Sequence, residues 1–370
     1  MIYLDHAATT PLRKEALEAM LPYFAEHAAN ANALYAEGRR ARAAVDRARQ
    51  EIADAIHADA AEIYFTGGGS ESDNWALFGV MRAMKGKKHI ITTQIEHHAI
   101  LNACAALESL GYDVTYVPVD RYGHVSPQNI ENAVRPETGL ISVMTANNEV
   151  GTIQPIAEIA EIAHEHGALM HTDAVQAAGH IPLDVKTLDV DLLSMAAHKF
   201  YGPKGIGALY IRNGVKITNL IYGGEQERGL RAGTENTPAI VGMGEALMLA
   251  CAEMAEESRR IAKLRDLLEG EIMRQMPNAI VNGDRQNRLP GTLHVTFPDA
   301  DTNMLLMRLD MEGIAVSAGS ACAAGARERS HVIRAMHVPE GADVRFSLGA
   351  DNDETQIRQT AEALCRILNG

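Results

Sequence analysis

Lys199 is the residue whose type and place most invite chemistry. It stands in Ser194-Met195-Ala196-Ala197-His198-Lys199-Phe200, followed by Tyr201-Gly202-Pro203-Lys204-Gly205. The run from Val190 to Met195 reads as a buried strand, so the lysine falls at a strand end, beside a histidine and before a Gly/Pro turn. Desolvating an ammonium is costly, and a lysine is seldom buried without a cause. A desolvated lysine has a lowered pKa and can form a Schiff base with an aldehyde cofactor. A surface lysine at a strand end is the plainer alternative.

A second stretch offers an anion site. The short strand Glu62 to Thr66 runs into Gly67-Gly68-Gly69-Ser70-Glu71-Ser72-Asp73-Asn74 and then a helix. Glycines let backbone N–H groups approach a ligand, and a helix N-terminus favours a phosphate. No Gly-Lys-Ser/Thr follows, so this is not a Walker loop, nor is it a G-x-G-x-x-G fingerprint. A tight turn capped by Ser70 is the alternative.

The elements needed to position these residues alternate along the chain. Helical patterns cover Pro11 to about Phe24 and Arg39 to about Ile56, with a small, polar loop at 27–38 between them. Strands are predicted at His89–Thr93, Val114–Val117, Leu140–Thr145, Ala168–His171 and Gly207–Ile211. Helices fall between several of them, including one from Ile156 to about His166. Such alternation predicts an α/β fold with a mostly parallel sheet covered on both faces. Ser70, His97, Asn148, Asp173, Gln176, His198 and Lys199 all fall just past predicted strand ends. In open parallel sheets ligands bind there. Each residue has a local alternative: a helix-start histidine for His97, an N-cap for Asp173, a turn residue for Asn148. Together they read as one site.

Beyond Lys199 the segment Gly223 to Asn236 holds five charged residues among glycines and reads as a polar loop, either solvated or at a subunit boundary. Two helices follow, from about Pro238 and over about Met254–Met276, and the domain boundary is placed within this pair. The expected division is a large domain, 11–258, and a smaller α/β domain, 259–370, with residues 1–10 packing against the latter. The small domain carries Ser317-Ala318-Gly319-Ser320-Ala321-Cys322-Ala323-Ala324-Gly325 and Val344-Arg345-Phe346-Ser347-Leu348-Gly349.

Composition narrows the classes. The chain has 370 residues, enough for two domains, with 46% hydrophobic and 22% charged residues, as in ordinary soluble globular proteins. A net charge of −14 argues against a nucleic-acid partner. The four cysteines, Cys104, Cys251, Cys322 and Cys365, are widely spaced and form neither a disulfide framework nor a zinc site, so no metal is expected. No apolar run approaches the roughly 20 residues of a membrane span. The first residues, Met1-Ile2-Tyr3-Leu4-Asp5-His6, do not have the form of a signal peptide. The expected compartment is the reducing cytoplasm, with no membrane association.

A strand-end lysine, a glycine-rich anion site and a strand-end aspartate are the components of a pyridoxal 5′-phosphate site. The lysine carries the aldehyde, the helix N-terminus holds the phosphate, and the aspartate keeps the ring nitrogen protonated. At these positions, and from Tyr3-Leu4-Asp5 to Arg345-Phe346-Ser347-Leu348-Gly349, the sequence resembles the class I cysteine desulfurases of the NifS/IscS group, fold-type I pyridoxal-phosphate enzymes of the class V aminotransferase family.

That resemblance implies roles residue by residue. Lys199 matches the Schiff-base lysine and His198 a phosphate contact. Asp173 matches the ring-nitrogen partner, Gln176 the residue at the ring hydroxyl, and His97 the histidine stacked on the ring. Gly69 and Ser70 match the phosphate turn, and Asn148 the asparagine near ring and substrate. Thr234 matches a threonine that reaches the phosphate of the other subunit, which implies a homodimer. Arg345 matches the arginine that holds the substrate carboxylate, and Cys322 the sulfur-accepting cysteine; a buried structural thiol is the alternative for the latter. The implied reaction converts L-cysteine to L-alanine and a Cys322 persulfide, with Lys199 as base. Sulfur then passes to an acceptor protein such as an iron–sulfur scaffold.

The sequence departs from the group's pattern in several places. Ala196 stands where a serine is usual, Asn30-Ala31-Asn32-Ala33-Leu34-Tyr35 replaces Asn-Pro-Ser-Ser-x-His, and Ser70 replaces a threonine. The chain stops at Gly370, without the longer tail some members use on a scaffold protein. A selenocysteine lyase or another fold-type I enzyme is the nearest rival reading. A non-catalytic partner in a sulfur-transfer complex is a more distant one, disfavoured by Lys199, Asp173 and Cys322 together.

Overall fold

The computed structural model describes residues 1–298, 300–319 and 329–369. In chain order the first elements are β1 (Ile2–Tyr3), α1 (Lys14–Met20), α2 (Ala36–Ala55), β2 (Ile63–Thr66), α3 (Gly69–Ala83), β3 (His89–Thr93) and α4 (His98–Ser109). Then come β4 (Asp113–Val117), α5 (Pro127–Ala133), β5 (Thr138–Ser142), α6 (Ile156–Glu165), β6 (Leu169–Asp173), β7 (Leu192–Ala196) and β8 (Gly207–Ile211). The chain continues with α7 (Thr237–Gln275), β9 (Ile280–Asn282), β10 (Thr292–Phe297), α8 (Thr302–Met311) and β11 (Ile314–Ala315). It closes with α9 (His331–Ala335), β12 (Ala342–Ser347) and α10 (Glu354–Asn369).

Seven strands form the central sheet in the order β2-β8-β7-β6-β5-β3-β4. Every neighbouring pair is parallel except those of β8, which runs against both β2 and β7. Strand periodicity sorts the side chains onto two faces. Ile90, Leu140, Leu192 and Leu209 pack with Trp75, Leu77 and Val80 of α3 and Ile100 and Leu107 of α4. Their sequence neighbours Ile91, Ile141, Leu193 and Ala208 pack on the other face with α2, α6 and the first half of α7. Central strands buried on both faces are continuous apolar runs, the pattern of a parallel sheet between two helical layers.

Two of the helices differ from the sequence reading in a way that matters for the fold. The first helix is shorter, since Pro22 has no N–H for the helical ladder and the chain tightens into a 3-10 turn over Leu21–Phe24. The expected pair of helices after Asn236 is one helix of 39 residues. Nothing between Met248 and Arg260 breaks it, because those residues include neither proline nor glycine. What changes there is the partner of the buried stripe: Ile240, Met243 and Leu247 belong to the core under the large sheet, while Ile261, Leu268 and Ile272 belong to a second core.

By length and composition α7 is also apolar enough to cross a membrane, in contrast to the sequence expectation. Its apolar side chains nevertheless line the two cores just named. The second core lies between α7, α8, α10 and the antiparallel sheet β12-β10-β9, and it takes in Leu4. The N-terminus reaches it because β1 pairs in parallel with β11.

Candidate functional site

One cavity of about 200 Å³ gathers most of the singled-out residues. Gly69, Ser70, His97, Asn148, Asp173, Gln176, His198, Lys199 and Arg345 all line it. Thr234 does not: it is exposed on the loop before α7. Cys322 lies outside the described residues.

Lys199 is delivered by the end of β7, through one 3-10 turn over Ala197–Lys199. The chain then doubles back. Tyr201 takes a positive φ of 64°, and a Cβ on Gly202 would stand 2.8 Å from the Ala197 Cβ and 2.9 Å from its carbonyl oxygen. Only glycine allows that approach. The lysine Nζ donates to the carbonyls of Ala7 and Ala8 at 2.5 and 2.8 Å. Its neighbour His198 meets the Thr9 hydroxyl at 3.2 Å. Burial, then the Lys199 and Lys204 charges, lower the His198 pKa to about 4.

Asp173 ends β6, and its Oδ1 accepts from the Val175 N–H at 2.9 Å. Burial raises its pKa to about 6, against the pull of that N–H and of Lys199. Gln176, one turn on, donates to the Ala7 carbonyl at 2.9 Å. His97 is the N-cap of α4, its Nδ1 accepting from the Ala99 N–H at 3.1 Å. That bond places the proton of a neutral ring on Nε2. Burial first, then Lys199 and the neighbouring His98 and His331, lowers the His97 pKa to about 4, so the ring is neutral near pH 7.

The glycine-rich turn forms the first turn of α3. Gly68, at φ 147°, leads into it, and a Cβ on Gly69 would lie 2.7 Å from the Val175 Cγ2. The turn also borders an adjoining cavity of about 460 Å³, shared with His198 and Lys204. Arg345 comes from the middle of β12, in the other core, and its Nη1 donates to the Asn148 carbonyl at 2.9 Å.

Sequence reasoning passed over three carboxyl groups here. Asp73 lines the cavity, its Oδ1 has no hydrogen-bond partner among the described residues, and burial and Asp173 hold its pKa well above the ordinary range. Its signal was its place three residues after Ser70, on the same face of α3. Glu96 is fully buried, bonded by the Thr93 hydroxyl and the Met144 N–H, and raised to about 8 chiefly by burial. Asp5 pairs with Arg345 at 2.7 Å. It sits in a segment with no periodic pattern, and nothing in the sequence marked it.

These residues fit pyridoxal 5′-phosphate. Asp173 suits a protonated ring nitrogen, as does the nearby Asp73, whose Oδ1 makes no hydrogen bond among the described residues and lies 3.8 Å from the His171 Nε2, and the glycine turn at a helix N-terminus suits a phosphate. The Lys199 amine is placed where it would supply the attachment point.

Fold and site together define a pyridoxal-phosphate enzyme of the fold-type I class. The sequence profile of the aminotransferase class-V family matches residues 2–359, and the chain belongs to that family. Among its relatives is the cysteine desulfurase IscS of Methanosarcina thermophila, 51% identical over 372 residues, 99% of this chain and 92% of that protein. A solved structure of a NifS-like protein superposes with a TM-score of 0.94 at 38% identity, covering 100% of this chain and 99% of the other. SspA in complex with cysteine superposes with a TM-score of 0.83 at 39% identity, covering 94% and 99%.

Proposed function

We propose that this protein is a cysteine desulfurase, using pyridoxal 5′-phosphate to take sulfur from L-cysteine and leave L-alanine. The observation that carries the reading is the meeting of Lys199, Asp173, His97 and Arg345 around one cavity, in a chain 51% identical to a cysteine desulfurase over nearly its whole length. When bound, the cofactor supplies an aldehyde that captures an amine and a ring that withdraws electrons from the carbon next to it.

The chain's residues do the rest. Asp173 would hold the ring nitrogen, Gln176 the ring hydroxyl, and His97, a neutral imidazole, would cover the ring face. Gly69, Ser70 and His198 would hold the phosphate. Arg345 binds the substrate carboxylate beside Asn148; a planar guanidinium can do so through two hydrogen bonds. The Lys199 amine takes the α-proton, and the carbonyls of Ala7 and Ala8 receive the resulting ammonium. The Cys322 thiolate takes the sulfur as a persulfide and passes it to an acceptor protein, for which an iron–sulfur scaffold is our choice.

The active unit is a homodimer. Leu17, Leu21, Phe24, Leu34 and Tyr35 leave large apolar side chains exposed, and the amide of Asn32 bonds Glu235, next to Thr234, at 2.8 Å. Thr234 therefore stands near an apolar face of the kind a second copy covers, where it reaches the partner's phosphate. Sedimentation of an active holoenzyme as single subunits would defeat this. The reading also divides the chain into 11–258 and 259–370 and places it in the cytoplasm, where a free thiol stays reduced.

Cys322→Ser tests the central claim. A serine hydroxyl is nearly isosteric but scarcely ionised near neutral pH. The variant should stay folded and yellow, and its spectrum should still respond to L-cysteine, while sulfide and alanine fall to a trace. Mass spectrometry of the parent after one turnover should find one extra sulfur on the Cys322 peptide. Full alanine production by the variant would sink the assignment.

A further inference from the structure

Asp5 lies outside the helices and extended strands, yet it pairs with the most deeply buried cation lining the cavity. The Arg345 side chain is 1% exposed and its Nη2 donates to Asp5 Oδ1 at 2.7 Å. Nη1 donates to the Asn148 carbonyl, and Nε, though buried, has no partner among the described residues. The backbone holds Asp5 in place: its carbonyl accepts from the Tyr3 hydroxyl at 3.1 Å, and Asp5 bridges to Ser347, two residues beyond Arg345. The fold thus lays a carboxylate of its own on a guanidinium that also faces the cavity.

We propose that Asp5 is an internal counter-ion of Arg345 that weakens its grip on amino-acid carboxylates, so that product can leave. This deepens the desulfurase reading and rests on Arg345 as the carboxylate-binding residue. A guanidinium has five N–H donors. Asp5 and the Asn148 carbonyl use one each, and the Nε donor is among those left, so a second carboxylate has somewhere to bind. The charge, however, is shared. Two carboxylates on one cation repel each other, and a buried site screens that repulsion poorly. L-Cysteine and L-alanine carry the same carboxylate, so a bare buried arginine would grip both tightly. Uniform tight binding does not speed chemistry. Asp5 reduces it while keeping the guanidinium paired between turnovers.

The test is Asp5→Asn in the holoenzyme. Asparagine keeps an oxygen for Nη2 and removes the charge. The Kd for L-alanine, read from cofactor absorbance, should fall about tenfold, equal to about 1.4 kcal/mol, and the KM for L-cysteine should fall with it. An unchanged or raised Kd in a folded, yellow variant overturns the proposal. Arg345→Lys separates this from the underlying reading. It should raise the alanine Kd by about tenfold or more, because an ammonium cannot make the paired bonds of a guanidinium. If it does not, Arg345 is not the carboxylate residue, and the counter-ion role falls with it. Should Asp5→Asn fail to fold, Asp5→Glu keeps the charge and must leave the alanine Kd within about threefold of the parent; a tenfold fall with the charge retained overturns the proposal.

Discussion

On one side of the cavity, side chains arrive from strand ends: Asp173 from β6, Lys199 from β7, His97 after β3. On the other side, residues 5–10 supply mainly backbone. The Ala7 and Ala8 carbonyls receive Lys199, Ala7 also receives Gln176, and Thr10 bonds the backbone of His198 and Tyr201. The strand-end wall is defined by residue type. The N-terminal wall is defined by where a chain lies, and Ala7 and Ala8 work through atoms that every residue has. Chemistry needs particular groups, whereas lodging an ammonium needs only well-aimed carbonyls.

The largest effect should come from the wall of particular groups. Lys199→Ala should cut L-cysteine turnover by about 1,000-fold or more, since on the proposed reading it removes both attachment point and base. Borohydride reduction and peptide mapping of the parent should mark Lys199. A label on Lys204 instead would show that the strand end does not present the reactive amine.

The next effect probes what holds that wall. The folded protein keeps the Glu96 proton up to about pH 8, whereas the unfolded chain releases it near the ordinary 4.5. A raised carboxyl pKa means that this group's contribution falls as pH rises through that window. The full difference is on the order of 5 kcal/mol. Glu96→Gln should flatten this part of the pH dependence, so that thermal unfolding at pH 8.5 moves up relative to the parent more than it does at pH 5. Equal shifts at both pH values would show that the carboxyl is not held neutral.

The smallest effect tests the other wall. The Thr10 hydroxyl is buried, accepts from the Tyr201 N–H at 2.7 Å and donates to the His198 carbonyl at 3.0 Å. Thr10→Val leaves the Tyr201 N–H unpaired, while the His198 carbonyl keeps the Thr10 N–H at 2.9 Å, and should cost about 1–3 kcal/mol in denaturant unfolding. A loss near zero would mean that the segment merely rests on the Lys199 turn, and the contrast between the walls would dissolve.

The strand-end wall was largely legible in advance. A Gly-rich turn between strand and helix, an aspartate after an apolar run and a lysine before a Gly/Pro turn are local patterns, and in a parallel sheet every strand end faces the same rim. The continuity of α7 was misread because its apolar stripe changes partner midway, which resembles a break when only periodicity is read. Asp73 and Glu96 were missed because a carboxylate in a helical or loop pattern normally reads as solvated; burial gave them their character.

The sequence alone determined the chemistry: the alternation of strands and helices, the amine, the aspartate and the anion turn follow from residue type and spacing within a few dozen residues. The tertiary structure decided the company each group keeps. Asp5 and Arg345 are 340 residues apart and meet only because β1 pairs with β11 and Asp5 bridges to Ser347. Local pattern carries no information about such a pair. Its geometry is fixed by the packing of distant elements, and its strength by the exclusion of water that this packing brings.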